Sequence, residues 1–229
     1  MWRSMVKTAL ATAAFGVVHS LLASRGAKGA AERVFGRRAR NGLYRPAYLA
    51  QSVVGTAALA AYVARLPDRE LYHVRGPLAT LMRGGQAAGL AYMAWAVREV
   101  GFRKISGLAG LEAWASGAAV PPRETEAQGP SPAPDGSMRV AGPFRHSRHP
   151  LNLSPLPILW LQPRMTANLL AFNLTATAYL VLGSRHEERR LRAAYGERYE
   201  AYLNSGVPFY LPRPASPALP GPGSLERRR

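Results

Sequence analysis

The sequence contains no cysteine. Disulfides, thiolate nucleophiles and cysteine-based zinc sites are therefore excluded. Acidic residues are also scarce, since 13 Asp and Glu stand against 30 Lys and Arg, for a formal net charge of +17. The sequence has neither of the common glycine-rich phosphate loops and no strand-rich half that would form a dinucleotide-binding domain. The positive charge then indicates either nucleic-acid binding or a membrane-orientation signal, and its position along the chain decides between them.

Apolar runs are what the chain has instead. They cover residues 5–24, 46–64, 77–97, 150–162 and 165–184. A helix needs about 20 apolar residues to cross a bilayer core of about 30 Å, and all of these runs except 150–162 meet that length. Prolines within 150–162 each remove a helical hydrogen bond, so this helix is expected to be short and broken. The sequence predicts an all-α integral membrane protein with about five transmembrane helices.

Basic residues alternate between the connections that separate these runs. Seven Lys and Arg lie in 25–45, two in 67–76, seven in 98–149, one in 163–164 and nine from Arg185 to the end. A nucleic-acid-binding protein would have no reason to alternate in this way. The positive-inside rule then predicts an N-terminus outside and a C-terminus in the cytoplasm, in a bacterial inner membrane.

The first run has a second interpretation. MWRSMVK, the apolar stretch after it and LLASRGA resemble a secretory signal peptide. The next segment is basic, however, which suits retention on the cytoplasmic side, and removing the run would break the charge alternation. We therefore expect an uncleaved first helix.

Two segments rich in proline, glycine and polar residues divide the chain. Residues 117–141 are predicted to form a flexible cytoplasmic loop, and residues 213–229 a disordered tail. The first three transmembrane helices then fall in 1–116, and the other predicted helices in 142–212.

The stretch GPFRHSRHP, residues 142–150, places positive charge directly before an apolar run. Pro150 suits the first position of a helix, so His149 would lie at or near the N-cap. A helix N-terminus favours an anion, and Arg145 and Arg148 add forked donors. These residues predict a site for a carboxylate or phosphate at the cytoplasmic face. The alternative is that the arginines are juxtamembrane charges that contact lipid headgroups.

Residues 186–203 are predicted to form a cytoplasmic amphipathic helix. One face would carry Glu188 at its centre and Glu187 at its edge, among Leu191, Tyr195, Tyr199 and Tyr202. A tyrosine-rich face is also typical of simple packing. Burying a carboxylate costs several kcal/mol unless it is paired, so Glu188 is expected to meet Arg145, Arg148 or a ligand.

These parts together resemble the C-terminal half of the membrane-embedded methyltransferases. That broad family includes isoprenylcysteine carboxyl methyltransferase, phospholipid methyltransferases, methanethiol S-methyltransferase and the NnrU-like proteins. GPFRHSRHP, an apolar hairpin, EERRLRAAYGERYEAYL and VPFYLP follow one another in the family's order over about residues 142–212. Residues 1–141 are similar only in general layout.

The resemblance implies an all-helical membrane fold that binds S-adenosylmethionine, with residues 142–212 as the cofactor-binding methyltransferase core. In the family, an Arg-His-Pro element and a Glu-Glu element line the cofactor site. Together with the arguments above, this predicts cofactor binding by Arg145, Arg148, His149, Pro150, Glu187, Glu188 and Tyr199. The candidate catalytic residues are Arg148, His149 and Glu188, and no metal ligand is predicted.

The sequence departs from the family pattern after Pro150. Asn152 and Ser154 stand where many members have a tyrosine and a glycine. We therefore expect a small thiol or another compact nucleophile, rather than a prenylated cysteine, as the methyl acceptor that enters from the bilayer. A thiolate would need little base catalysis, whereas an amine or hydroxyl would need His149 or Glu188 as a base.

Two other functions stay open from the residues alone. His146 and His149 are three residues apart, with His186 on the second element, so a metal-binding or haem-binding NnrU-like protein is one alternative. A non-catalytic membrane scaffold is the other.

Overall fold

The computed structural model describes residues 1–119, 129–130 and 132–210. In chain order the elements are α1 (Trp2–Ala23), α2 (Arg25–Ala64), β1 (Glu70–His73), α3 (Gly76–Val100), α4 (Phe102–Ser106), α5 (Leu108–Ala115), a 3-10 helix (Gly142–Arg145), α6 (Pro150–Leu153), α7 (Pro155–Trp160), β2 (Arg164–Thr166), α8 (Ala167–Tyr195) and α9 (Glu197–Leu203). The chain is thus mostly helical. The predicted tail over 213–229 lies outside the described residues, and the predicted loop over 117–141 is described only in part.

Three helices in the described ranges are long and apolar enough to cross a membrane, namely α1, α2 and α8. Their outward faces carry exposed apolar side chains such as Leu10, Val53 and Leu182. This supports a membrane protein, as expected. The run over 77–97 also forms a helix, α3, but Arg83 and Gln86 interrupt its apolar character. The count of about five crossings therefore stays a prediction.

A small antiparallel sheet, which the sequence did not indicate, joins the α2–α3 connection to the start of α8. Glu70 pairs with Thr166 and His73 with Arg164, with an irregularity after Glu70. The Thr166 hydroxyl accepts a hydrogen bond from the Leu169 backbone at 3.2 Å and so caps α8. This sheet fixes one end of α8.

The short apolar run over 150–162 forms two short helices, α6 of four residues and α7 of six. Ser154 lies between them, and its hydroxyl donates to the Pro150 carbonyl. Helix α7 and the residues before it pack on α3, where a side chain on Gly89 would come within 3.0 Å of the Ser154 carbonyl oxygen. The absence of a side chain at Gly89 therefore allows the close approach.

Helix α8 packs against α1, which in turn packs against α2. A Cβ atom on Gly16 of α1 would lie 2.8 Å from the ring of Tyr179 on α8, so a glycine is needed there. His19 of α1 joins α2 through hydrogen bonds with Tyr48 and Ser52. Small residues and interhelical hydrogen bonds are the usual means of association between membrane helices.

The predicted single helix over 186–203 is wrong in its boundaries. Helix α8 continues without interruption from the apolar run to Tyr195, and Gly196 then turns the chain with φ 56° and ψ −131°. Only glycine adopts this conformation readily, which is why the helix ends there. Residues from α8, α9 and the segments beside them still form one apolar cluster, which contains Met138, Leu191, Tyr199, Tyr202 and Val207.

Candidate active site

Glu188, near the C-terminal end of α8, meets the two residues that precede α6. Its Oε1 atom accepts a hydrogen bond from Arg148 Nε at 2.9 Å and lies 3.1 Å from His149 Nε2. His149 is 2% exposed and Glu188 is 7% exposed. The apolar cluster holds this part of α8 in place, while the 3-10 helix and Pro150 direct the chain towards it. A buried carboxylate is thus paired with a guanidinium and an imidazole.

Glu187 lies on the other side of the same imidazole. Its Oε2 atom is 3.5 Å from His149 Nδ1, at the outer limit for a hydrogen bond, and the buried Nδ1 has no closer hydrogen-bond partner in the described residues. We call Arg148, His149, Glu187 and Glu188 the Arg–His–Glu cluster. Burial opposes protonation of His149, but the two neighbouring carboxylates outweigh it, so the pKa of His149 is raised above its ordinary 6.5.

Arg148 also fastens the segment that follows α9. Its backbone N–H donates to the Pro208 carbonyl at 2.9 Å, and its Nη1 donates to the Val207 carbonyl at 3.3 Å. Its guanidinium carbon lies 5.7 Å from the centre of the Phe209 ring, which is itself 4.8 Å from the His149 ring. Residues 207–210 therefore cover one side of the cluster.

Two of the predicted site residues lie apart from these contacts. Arg145 is exposed, and its Nε donates to the Val140 carbonyl at 3.3 Å. Pro150 is buried at the first position of α6, as its sequence predicts, with His149 at the N-cap. However, α6 has only four residues and the His149 side chain makes no capping bond. The sequence suggested that an external anion would bind at this helix start. Instead, the carboxylates of Glu187 and Glu188 lie beside His149.

Tyr199, on α9, is fully buried near the cluster. Its hydroxyl has no hydrogen-bond partner in the described residues. Burial, and then the charges of Glu188 and Glu187, raise the pKa of Tyr199, so the phenol stays protonated and can donate. The Tyr199 hydroxyl therefore lacks a partner among the described protein atoms, and His149 Nδ1 has only the 3.5 Å contact with Glu187 there, so a ligand could satisfy both groups.

A hydrogen-bonded chain beside the cluster contains residues that were not predicted to be part of the site. Asn152 Nδ2 donates to Ser184 Oγ at 2.8 Å and to Glu187 Oε2 at 3.3 Å. Ser184 Oγ lies 2.9 Å from the Tyr210 hydroxyl. Asn152 stood out in the sequence only as a departure from a family pattern. The contact between Ser184 and Tyr210 could not be predicted from their spacing in the sequence, because the two residues lie on separate elements.

The histidines do not converge on one point. His146 contacts the ring of Trp95 at 5.9 Å, and His186 is exposed on α8. Among the described residues, no group of three His, Asp or Glu side chains is placed to hold a metal ion. The geometry therefore does not favour the metal or haem alternative.

Comparison with known proteins identifies relatives of one kind. The chain is 36% identical over 83 residues to methanethiol S-methyltransferase of Pseudomonas deceptionensis, which is 36% of this chain and 31% of that protein. It is 40% identical over 77 residues to methanethiol S-methyltransferase 2 of Bradyrhizobium diazoefficiens, or 34% of this chain and 29% of that protein. The enzyme of the same name from Mycobacterium tuberculosis is 39% identical over 71 residues, or 31% and 29%.

These matches cover less than a third of the length of each of these curated relatives. No protein-family profile matches the chain. No solved structure is significantly similar to it. The resemblance that the residues of 142–212 indicated is nevertheless confirmed, since five curated relatives share the same enzyme name. Over about a third of its length, the chain is therefore similar in sequence to proteins named methanethiol S-methyltransferase.

Proposed function

We propose that the chain is an S-adenosylmethionine-dependent membrane methyltransferase that acts on a small or lipophilic nucleophile, with a thiol as the preferred acceptor. The observation that carries this proposal is the significant similarity to relatives named methanethiol S-methyltransferase. The Arg–His–Glu cluster supports a location for the reaction, within a core over residues 142–212. Buried ionisable groups with unpartnered polar atoms are typical of functional sites.

The cluster fits the methyl donor by charge and by hydrogen-bonding capacity. The donor carries an amino group and ribose hydroxyls, which suit Glu187 and Glu188, and a carboxylate, which suits Arg148. Among the residues that the structure describes, Glu188 is contacted at Oε1 and Glu187 at Oε2. Each glutamate thus has a second oxygen for a ligand. When bound, the donor supplies a methyl group already activated on a sulfonium.

The unpartnered atoms suggest how the site would hold the donor. The Tyr199 hydroxyl and His149 Nδ1 are buried polar atoms that a bound donor could satisfy, whereas the Tyr199 ring is packed within the apolar cluster. Because the pKa of His149 is raised, its protonated fraction at neutral pH exceeds that of a free histidine. Protonated His149 would hold a carboxylate rather than remove a proton from the acceptor.

The acceptor should therefore be one that ionises without a strong base. A thiol is more acidic than a hydroxyl group, the free cysteine thiol having a pKa of about 8.5, so it reaches its nucleophilic thiolate form with less help from a base. The protein would then need only to orient donor and acceptor and to exclude water. The relatives' name, which specifies methanethiol, and the polar Asn152 and Ser154 after Pro150 support a compact thiol.

The experiment is a comparison of acceptors with the purified full-length protein in detergent. Binding of S-adenosylmethionine is measured by calorimetry, and transfer of a labelled methyl group is measured for methanethiol and for a farnesylcysteine analogue. We expect donor binding and faster methylation of methanethiol. Absence of donor binding would contradict the proposed function, and faster methylation of the farnesylcysteine analogue would contradict the acceptor class.

The proposed orientation places the cluster on the cytoplasmic side of a bacterial inner membrane, with the N-terminus outside. It rests on the alternation of basic residues between connections. Reporter fusions after Tyr72 should report the outside, and fusions after Thr125 or Ala215 should report the cytoplasm. An outside location at Thr125 would put the loop before the cluster on the wrong side and refute the orientation.

A further inference from the structure

We propose that Asn152, Ser184 and Tyr210 form a positioning chain that holds Glu187 against His149, and that Asn152 thereby sets the pH range over which the cluster binds its donor. This inference rests on the proposed function for the identity of the donor. It adds three residues that act through Glu187 and not by touching the reacting atoms.

Asn152 is placed to orient Glu187 without neutralising it. The amide nitrogen has two N–H groups, and the two acceptors within reach are Ser184 Oγ at 2.8 Å and Glu187 Oε2 at 3.3 Å. The amide is uncharged, so the carboxylate keeps its full charge for a cationic ligand. The same Oε2 atom faces His149 Nδ1 at 3.5 Å. Asn152 thus fixes the oxygen that approaches the imidazole.

Ser184 and Tyr210 extend this arrangement to the segment that follows α9. Because Ser184 Oγ accepts from Asn152, its own proton is free to be shared with the Tyr210 hydroxyl at 2.9 Å. Tyr210 is adjacent to Phe209, whose ring packs 4.8 Å from that of His149. Burial raises the pKa of Tyr210, so the phenol stays neutral and able to donate. One chain of hydrogen bonds therefore links Glu187 to the segment that covers the cluster.

Several titratable or charged groups lie around Glu187. They come from four parts of the fold: the turn before α6, helix α8, helix α9 and the segment after α9. His149, Tyr199 and Tyr210 interact with Glu187 itself, while Arg148 and Glu188 are paired with each other on the other side of the same imidazole. Asn152, which donates to Glu187, carries no titratable proton. Replacing its amide by a carboxylate of nearly the same shape changes the charge beside Glu187 with little change in packing.

The test is Asn152→Asp in the full chain. Two carboxylates at this distance cannot both ionise easily, so they should share a proton. At about pH 5 the shared proton substitutes for the amide hydrogen, and the variant should bind S-adenosylmethionine much like the wild type. As the pH rises to about 8, the second carboxylate ionises and Glu187 is repelled from its place. Affinity relative to the wild type should then fall, by about tenfold for each unit by which the pKa of the pair is higher in the donor-bound protein than in the free protein.

Asn204→Asp is the matched control, because Asn204 is exposed at the end of α9. It makes the same chemical change, and its affinity profile with pH should follow the wild type. If Asn152→Asp also follows the wild type from about pH 5 to about pH 8, the proposal is overturned. A uniform loss of affinity at every pH would indicate a merely structural role and would also overturn it.

Thermal unfolding of the same proteins separates this inference from the proposed function. The melting temperature of Asn152→Asp, relative to the wild type, should fall as pH rises, while that of Asn204→Asp should stay at a constant offset. This readout needs no donor. If the wild type binds no S-adenosylmethionine but the unfolding profiles differ as expected, the proposed function fails and the positioning chain stands. If the change of melting temperature with pH is the same for Asn152→Asp as for the wild type, the proposed positioning chain is contradicted.

Discussion

Two Arg–Glu pairs at the same end of α8 have nearly the same geometry and very different surroundings. Arg148 Nε lies 2.9 Å from Glu188 Oε1, and Arg192 Nε lies 2.8 Å from Glu200 Oε1. The side chains of the first pair are 20% and 10% exposed, and those of the second are 46% and 49% exposed. The inner carboxylate also faces His149, whereas the outer pair joins α8 to α9 at the surface.

The difference shows that the distance within an ion pair does not identify a functional site. An exposed pair contributes about 0–1 kcal/mol and is screened by solvent and salt. A buried pair has lost the solvation of both charges, and removing one partner leaves the other without compensation. A ligand charge is therefore felt strongly at Glu188 and weakly at Glu200. Matched variants of the inner and outer pairs should therefore differ in their effects.

The largest expected effect is on donor affinity. Arg148→Ala should weaken binding of S-adenosylmethionine roughly ten- to hundredfold, since a charge-assisted hydrogen bond contributes about 1.5–3 kcal/mol. Arg192→Ala should bind like the wild type, because its pair lies at the surface. Calorimetry in detergent measures both, and a melting curve for each variant shows that it is folded. If Arg148→Ala and Arg192→Ala bound S-adenosylmethionine with equal affinity, the proposed functional difference between the inner and outer pairs would be contradicted.

A second prediction concerns the pH dependence of stability. The pKa of His149 is raised above 6.5 in the folded protein, so protonation of His149 favours folding. This stabilisation is fully present below pH 6.5 and is lost as pH rises through the raised value. The difference in unfolding free energy between the wild type and His149→Gln should therefore shrink as pH increases.

Exposed His186 provides the control for that measurement. His186→Gln should keep the pH dependence of the wild type, since the residue lies outside the cluster. A difference between the wild type and His149→Gln that stays constant with pH would show that the carboxylates do not hold the proton on the imidazole.

The smallest effect is expected at the outer pair. Arg192→Ala should lower the free energy of unfolding by less than about 1 kcal/mol, and added salt should reduce even that difference. The cost of Arg148→Ala should persist in salt, because the inner pair is largely buried. Denaturant unfolding at low and high ionic strength measures both. An effect of salt on Arg148→Ala as large as that on Arg192→Ala would contradict the burial argument.

Much of this arrangement could be expected from particular residues in the sequence. Apolar runs of sufficient length predicted α1, the membrane part of α2 and α8, because such runs fold as helices in a bilayer whatever they contact. The cost of burying a carboxylate predicted that Glu188 would meet an arginine, and Arg148 is that partner. Periodicity also placed Leu191, Tyr199 and Tyr202 together, although the helix that carries them is interrupted.

What was missed depends on contacts between distant segments or on backbone conformation. In the sequence, Gly196 is only a residue of low helix propensity. In the structure, its positive φ ends α8, and a new helix begins at the next residue. Ser184 and Tyr210 meet only because the segment after α9 folds back over α8. Arg145 has the same charge and neighbourhood as Arg148, yet the turn of the 3-10 helix directs it away from Glu188. Local patterns do not encode these directions.

The most direct test of the central claim, that the Arg–His–Glu cluster is the donor site, is a paired measurement on its two matched glutamates. Glu188→Gln and Glu200→Gln are purified in the same detergent, and their affinities for S-adenosylmethionine are measured by calorimetry. Both changes remove one negative charge from an Arg–Glu pair, and the two pairs have nearly the same length. Glu188→Gln should bind roughly ten- to hundredfold more weakly than the wild type, and Glu200→Gln should bind like the wild type. If both variants bind like the wild type, the cluster is not the donor site.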